Sequence, residues 1–99
     1  MKSTIEIPIN QFQLAILLNE EQKVSYKFML ENGVFCVQCG SICEKGIEVE
    51  KIYLTNLNDV KVQGVCKVCN GKVVRIVEFG EDKAFYEKAT NFRKSIKKQ

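Results

Sequence analysis

Histidine and tryptophan are both absent from this 99-residue chain. Without imidazole there is no Ser-His or Cys-His nucleophile pair and no general base of the usual kind. The three-ligand zinc centres that keep a position open for water also commonly rely on His, so that class is removed too. Long apolar runs are missing as well. The run Leu14–Leu18 falls far short of the roughly 20 residues that a membrane helix needs, so no membrane partner is expected. It is also too short for a secretory signal, and Glu6 and Pro8 interrupt the approach to it. Five cysteines, an odd number, with no export signal speak for a reducing compartment rather than a disulfide framework. The expected location is the cytoplasm.

A chain this short makes one domain, with a modest core that a metal clip can supplement. Apolar residues at 45% and charged residues at 27% mark it as globular material rather than a disordered tail. The net charge of +3 is unevenly placed. Residues 1–33 carry three Lys/Arg against four acids, residues 34–80 six against five, and residues 81–99 six against three. The basic excess therefore sits at the C-terminus.

What the chain does have is two short cysteine pairs, Cys36-Val37-Gln38-Cys39-Gly40 and Cys66-Lys67-Val68-Cys69-Asn70-Gly71. A two-residue gap lets both thiolates of a pair face one ion from a tight turn. Gly40 and Asn70 follow directly, and both tolerate the positive φ that folds backbone N–H groups back toward the sulfurs. Two such pairs separated by an ordered segment read as a four-thiolate tetrahedral site with ligands Cys36, Cys39, Cys66 and Cys69. All four positions are filled by protein, so the ion, expected to be a single zinc, is structural. Iron held by the same four sulfurs is not separable from zinc on spacing. A thioredoxin-type dithiol fits less well, because that motif sits between a strand and a helix. Binding at such a site contributes folding free energy on the order of 10 kcal/mol, so the metal-free chain is expected to be largely unfolded. Cys43 is left over, either a small buried thiol or a spare ligand that responds to oxidation.

The paired turns, with a β-hairpin between them and a strand after, resemble the zinc ribbon over Val34 to Phe79. The 26 intervening residues exceed the ~15–20 of the usual pattern. That resemblance implies a three-stranded antiparallel sheet around the metal.

Around this centre, residues 3–9 alternate Ile5, Ile7 and Ile9 with polar positions as a short strand, which Pro8 confines to an edge. Asn10 caps a helix over Gln11–Leu18. Asn19 with Gln22 forms a capping box for a second helix, closed by Asn32-Gly33. A single bent helix is the alternative. The break is preferred because Phe12, Ile16, Val24 and Phe28 share no 3.6-residue stripe. Ser41–Gly46 is expected as loop. Ile47 to Thr55 is a strand with a parity fault that a bulge near Glu50-Lys51 would reconcile, and Gly64 suggests a second irregularity. Lys72–Phe79 is apolar on both parities, so that strand is expected to be central or covered on two sides. Gly80-Glu81-Asp82 opens a last helix with the stripe Phe85, Ala89, Phe92 and Ile96.

The fold expected is thus α+β: a helical N-terminal segment (1–33), a three-stranded antiparallel zinc ribbon (34–80) and a C-terminal amphipathic helix (81–99) packed over the sheet, as one compact domain. No catalytic group is recognisable, and the reading is non-enzymatic. The expected function is an interaction module that holds a protein partner through the helices flanking the ribbon. The alternative is a nucleic-acid-binding, transcription-linked ribbon using Lys88, Arg93, Lys94, Lys97 and Lys98 with the hairpin around Asn56–Asp59. Scarce arginine speaks against sequence-specific DNA reading, whereas contact with a phosphate backbone stays open. Residues 11–31 are slightly acidic, which speaks against a helix-turn-helix.

Overall fold

A computed structural model describes residues 6–97. Residues 3–5 of the expected first strand, and Lys98, lie outside them. Six strands and three helices follow one another as β1 (Ile7–Ile9), α1 (Gln11–Leu17), α2 (Glu20–Asn32), β2 (Phe35–Cys36), β3 (Ser41–Ile42), β4 (Ile47–Leu54), β5 (Val60–Cys66), β6 (Lys72–Val77) and α3 (Lys83–Lys97). The class is α+β, as expected, but the main antiparallel sheet has four strands rather than three, in the order β1-β4-β5-β6. The fourth strand is the N-terminal one, whose Ile7, Pro8 and Ile9 lie opposite Leu54, Tyr53 and Ile52. Pro8 keeps that strand at an edge, because it has no N–H to offer a further neighbour. The stretch expected as loop after Gly40 also contains a strand, since Ser41–Ile42 pairs with Phe35–Cys36 as a small hairpin around the first cysteine turn.

The two N-terminal helices break where their caps fall. Asn10 Oδ1 accepts the Gln13 N–H at 2.8 Å, and Gln13 Oε1 accepts the Asn10 N–H at 2.8 Å. Asn19 and Gln22 repeat the same reciprocal pair at 2.7 and 2.9 Å. Each box satisfies two of the amides that a helix start leaves without partners, which makes two starts more stable than one bent helix.

In β4 the register shifts between Val49 and Lys51, leaving Glu50 as the extra residue. Ile47 is thereby buried on the same face as Ile52 and Leu54, despite their opposite parity. Gly64 is not a second irregularity. It lies opposite the same bulge, pairing with Val49 at the border of the shift and with Val73 in regular register on the other side. Glycine is required there by close approach, because a Cβ at this position would lie 2.0 Å from the Glu48 carbonyl oxygen.

One face of the sheet carries the core. Ile52, Leu54, Val60 and Val62 are buried together with Leu14 and Leu17 of α1, Met29 of α2, and Phe85 and Ala89 of α3. The stripe expected on α3 is the side that packs, with Phe92 joining the core's margin. A 3-10 turn over Phe79–Glu81 precedes α3, so the helix opens at Lys83 rather than at Gly80–Asp82. Phe79 stacks tilted on Phe85 with ring centroids 5.5 Å apart.

The expectation for the last strand fails. β6 is an edge strand, and Val74 (56% exposed) and Ile76 (50%) face solvent. Apolar residues on both parities reflected an uncovered sheet face, not a second covering layer.

Candidate metal centre

The two cysteine turns are built alike. In the first, the Gly40 N–H donates to the Cys36 carbonyl at 2.8 Å with Gly40 at φ 73°. In the second, the Asn70 N–H donates to the Cys66 carbonyl at 2.8 Å with Asn70 at φ 63°. Asparagine and glycine are the residues for which this left-handed geometry costs least. The hairpin β2–β3 carries the first turn, and the β5–β6 connection carries the second. Lys67 N–H donates to the Gly46 carbonyl at 3.0 Å, tying the second turn to the loop that leaves the hairpin.

These elements bring Cys36, Cys39, Cys66 and Cys69 together, with all four sulfurs within 4.8 Å of one another. Cys36 Sγ and Cys69 Sγ are 3.5 Å apart, and Cys39 Sγ and Cys66 Sγ 3.9 Å. A tetrahedron with metal–sulfur bonds of about 2.3 Å has edges of about 3.8 Å, and the Cys36–Cys69 and Cys39–Cys66 separations lie close to that value. The donor set therefore fits a tetrahedral metal ion. Cys36 and Cys66 are buried, and Cys39 and Cys69 are exposed.

Backbone amides point at the sulfurs. Cys39 N–H donates to Cys36 Sγ, Val68 N–H to Cys66 Sγ and Gly71 N–H to Cys69 Sγ, each at 3.4 Å. Such bonds favour the thiolate. The Cys66 thiol is pulled down to about 6, chiefly by the backbone amides of Cys69 and Val68. Cys36 is lowered too, first by the Cys39 amide. Cys39 moves the other way, to about 12, because the neighbouring Cys69 and Cys36 sulfurs favour its protonated form. Cys69 is raised as well, the pull of the Gly71 amide being outweighed by the Cys36 sulfur and by burial, so two of the four crowded sulfurs are shifted toward the thiolate and two toward the thiol. Gln38 closes one side, its Oε1 lying 3.4 Å from Cys69 Sγ.

Cys43 stands outside this group of four. It is buried, its thiol pushed up to about 12 chiefly by desolvation, with Cys66 and Cys36 as its charged neighbours. Buried and beside two of the four sulfurs, it has the burial of a small core thiol and the position of a spare ligand.

The basic residues of α3 do not form one surface. Arg93 turns inward: its Nε donates to Asn58 Oδ1 at 2.8 Å, and its Nη2 donates to the carbonyls of Thr55 and Leu54. Lys88 Nζ donates to the Leu17 carbonyl at 3.4 Å. Lys94 is exposed, and Lys97 ends the helix. The Asn56–Asp59 turn lies under α3, with Asn58 and Asp59 buried, Asn58 Nδ2 donating to Thr90 Oγ1 at 3.2 Å, and Asp59 Oδ1 accepting the Gly80 N–H at 2.9 Å.

The residues that sequence reasoning misread are apolar. Phe12, Ile16, Val24 and Phe28 are 83, 73, 71 and 63% exposed. Their failure to share one stripe marks the helix break and says nothing of which side meets solvent. The signal was in the pairs: Phe12–Ile16 and Val24–Phe28 are each spaced i, i+4, opposite Leu14 and Leu17 on α1 and opposite Met29 on α2.

No protein-family model matches the chain, and no match to it is found among the curated proteins or the solved structures. Among the described residues, no helix is long and apolar enough to cross a membrane.

Proposed function

We propose that this chain is a non-catalytic interaction module of zinc-ribbon type, held in shape by one structural zinc ion and docking a protein partner on the outward faces of α1 and α2. The observation that carries the docking half is the exposure of Phe12, Ile16, Val24 and Phe28. Each helix already buries one side against the sheet, so the opposite sides are apolar without serving the core. Large apolar side chains exposed in pairs along one helix side are characteristic of a protein-binding site. Glu20, Glu21 and Glu31 lie beside these residues on α2, with Lys23 and Lys27. A partner with an apolar ridge and a basic margin is the match for that surface. Zinc is the ion favoured by a closed four-thiolate set with no open coordination position.

The nucleic-acid reading is weaker. The hydrogen bonds of Arg93 and Lys88 draw two of the five candidate cations toward the fold, and Asn58 and Asp59 of the hairpin tip that would have joined them are buried under α3.

Two measurements test the proposal. Elemental analysis of the purified protein is expected to find one zinc per chain, and iron or no metal would overturn that half. A photoreactive phenylalanine analogue at position 12 or 28 is expected to crosslink in cells to a different protein of a single mass. Ile16→Glu should remove that adduct while leaving the melting temperature unchanged. Adducts formed at an equal rate from position 94 on α3, or only with a second copy of this chain, would sink the docking half.

A further inference from the structure

We infer that β6 is a self-association edge, through which two copies of this chain join their sheets in antiparallel register. The two edges of the main sheet are differently made. The β1 edge is three residues long and carries Pro8, which blocks continued pairing. The β6 edge, Lys72-Val73-Val74-Arg75-Ile76-Val77, has no proline and no bulge, and four of its six residues are β-branched.

The hydrogen-bond alternation along β5–β6 shows which amides are free to pair. Cys66 N–H donates to the Gly71 carbonyl at 2.9 Å, and the same antiparallel register continues through Gly64 with Val73, Val62 with Arg75 and Val60 with Val77. Those β6 residues therefore direct their N–H and C=O groups toward β5, and Lys72, Val74 and Ile76 direct theirs outward. Among the described residues, no backbone group takes these outward positions, and the Ile76 carbonyl accepts the neighbouring Arg75 Nε at 3.3 Å, a local contact that an incoming strand can replace. β2 lies near β6, but its ladder is with β3, and Arg75 Nη1 reaches the Gly33 carbonyl from the strand's other parity. Val74 and Ile76 combine outward main-chain groups with exposed side chains. A strand of this kind templates the addition of another.

Charge selects a second copy as that strand. When β6 pairs with itself about a two-fold axis at Arg75, Val74 stands opposite the partner's Ile76, and Lys72 stands opposite Glu78, just past the strand's end. Both ends of the junction then carry a Lys–Glu pair, and the apolar residues of the outer face meet in the middle. Lys72 already lies 3.5 Å from its own Glu50, in an exposed pair that a closer partner can replace. The two Arg75 residues face each other across the axis, and each guanidinium is tied to a Gly33 carbonyl of its own chain.

Sedimentation of the full, metal-loaded chain from low to high micromolar concentration tests this. A dimer whose population rises with concentration is expected. Val74→Pro removes an outward N–H and leaves the β5 ladder intact, so it should abolish the dimer without altering the far-UV spectrum. Should that variant not fold, Val74→Lys tests the same edge. Lys72→Glu alone and Glu78→Lys alone should each weaken the dimer several-fold, and the two together should restore it. A chain that stays monomeric, a dimer that survives the Val74 variants, or a charge swap that fails to restore association overturns the inference. So does a dimer dissolved by Phe12→Ser and untouched at β6, which would place the contact on the helices.

Discussion

The two ends of this molecule hold together by different means. At one end the first cysteine turn rests on two strands of two residues and the second on the β5–β6 connection, with Phe35, Val37, Ile42 and Val68 exposed around them. At the other, β4, β5, α1 and α3 enclose Leu14, Leu17, Leu54, Val60, Val62, Phe85 and Ala89. The first region joins the core through Val34, Cys36, Ile47, Cys66 and Val73, while its turns stay bare and, on the proposed reading, are held by coordination bonds. The second is a conventional close-packed core. On that reading the ion closes one part of the fold rather than standing in for a core throughout, which narrows the expectation that the whole metal-free chain unfolds.

Metal removal tests that contrast most severely. Chelation withdraws binding free energy on the order of 10 kcal/mol from the cysteine end. Hydrogen exchange should then rise sharply over residues 33–46 and 66–72, while β4, β5 and α3 keep most of their protection. Uniform loss of protection would abolish the distinction between the two ends, and unchanged protection at the turns would show the ion to be dispensable. Acid should reach the same state. The folded chain holds Cys66 near 6 against an ordinary thiol value of 9.0, so its thiolate favours the folded form at neutral pH. That contribution is complete above the ordinary value and is lost as pH falls through about 6. Metal release followed by a chromogenic chelator should therefore rise in that direction.

A core truncation strikes the other end. Phe85→Ala is expected to cost about 3–5 kcal/mol in urea unfolding, because the ring is almost fully buried against Phe79. The metal should remain bound until the global transition. Arg93→Met is expected to cost less, about 1–3 kcal/mol, by leaving Asn58 Oδ1 without the guanidinium and the Thr55 carbonyl with the Asn58 N–H but not the Arg93 donor. A neutral result would mean that water replaces the guanidinium. The smallest effect belongs to Phe12→Ser, which should fall within about 0.5 kcal/mol of the parent, since that side chain touches no core. A larger loss would show that the outward helix face serves the monomer's own stability.

How far the sequence could be read depended on the range of each interaction. Asn10, Asn19 and Gln22 act within three residues, and the caps they predict are the caps that form. The parity fault in β4 located its bulge at Glu50, because side-chain alternation is a property of one strand. The spacing of the cysteines foretold four sulfurs around one point. Other readings turned on what lies across from a residue. Gly64 looked like a defect and is a close approach to the Glu48 carbonyl. Arg93 looked like a surface cation and braces the β4–β5 turn.

Local chemistry in the chain was thus enough to specify where helices begin, where a strand must kink, and which thiols share a centre. The backbone and its nearest side chains settle those matters within a few residues. Which strand ends at an edge, which helix side meets solvent, and which cation turns inward are set by neighbours distant in sequence. Burial is a property of the assembled layers, and an apolar residue carries the same chemistry whether it is covered or left bare.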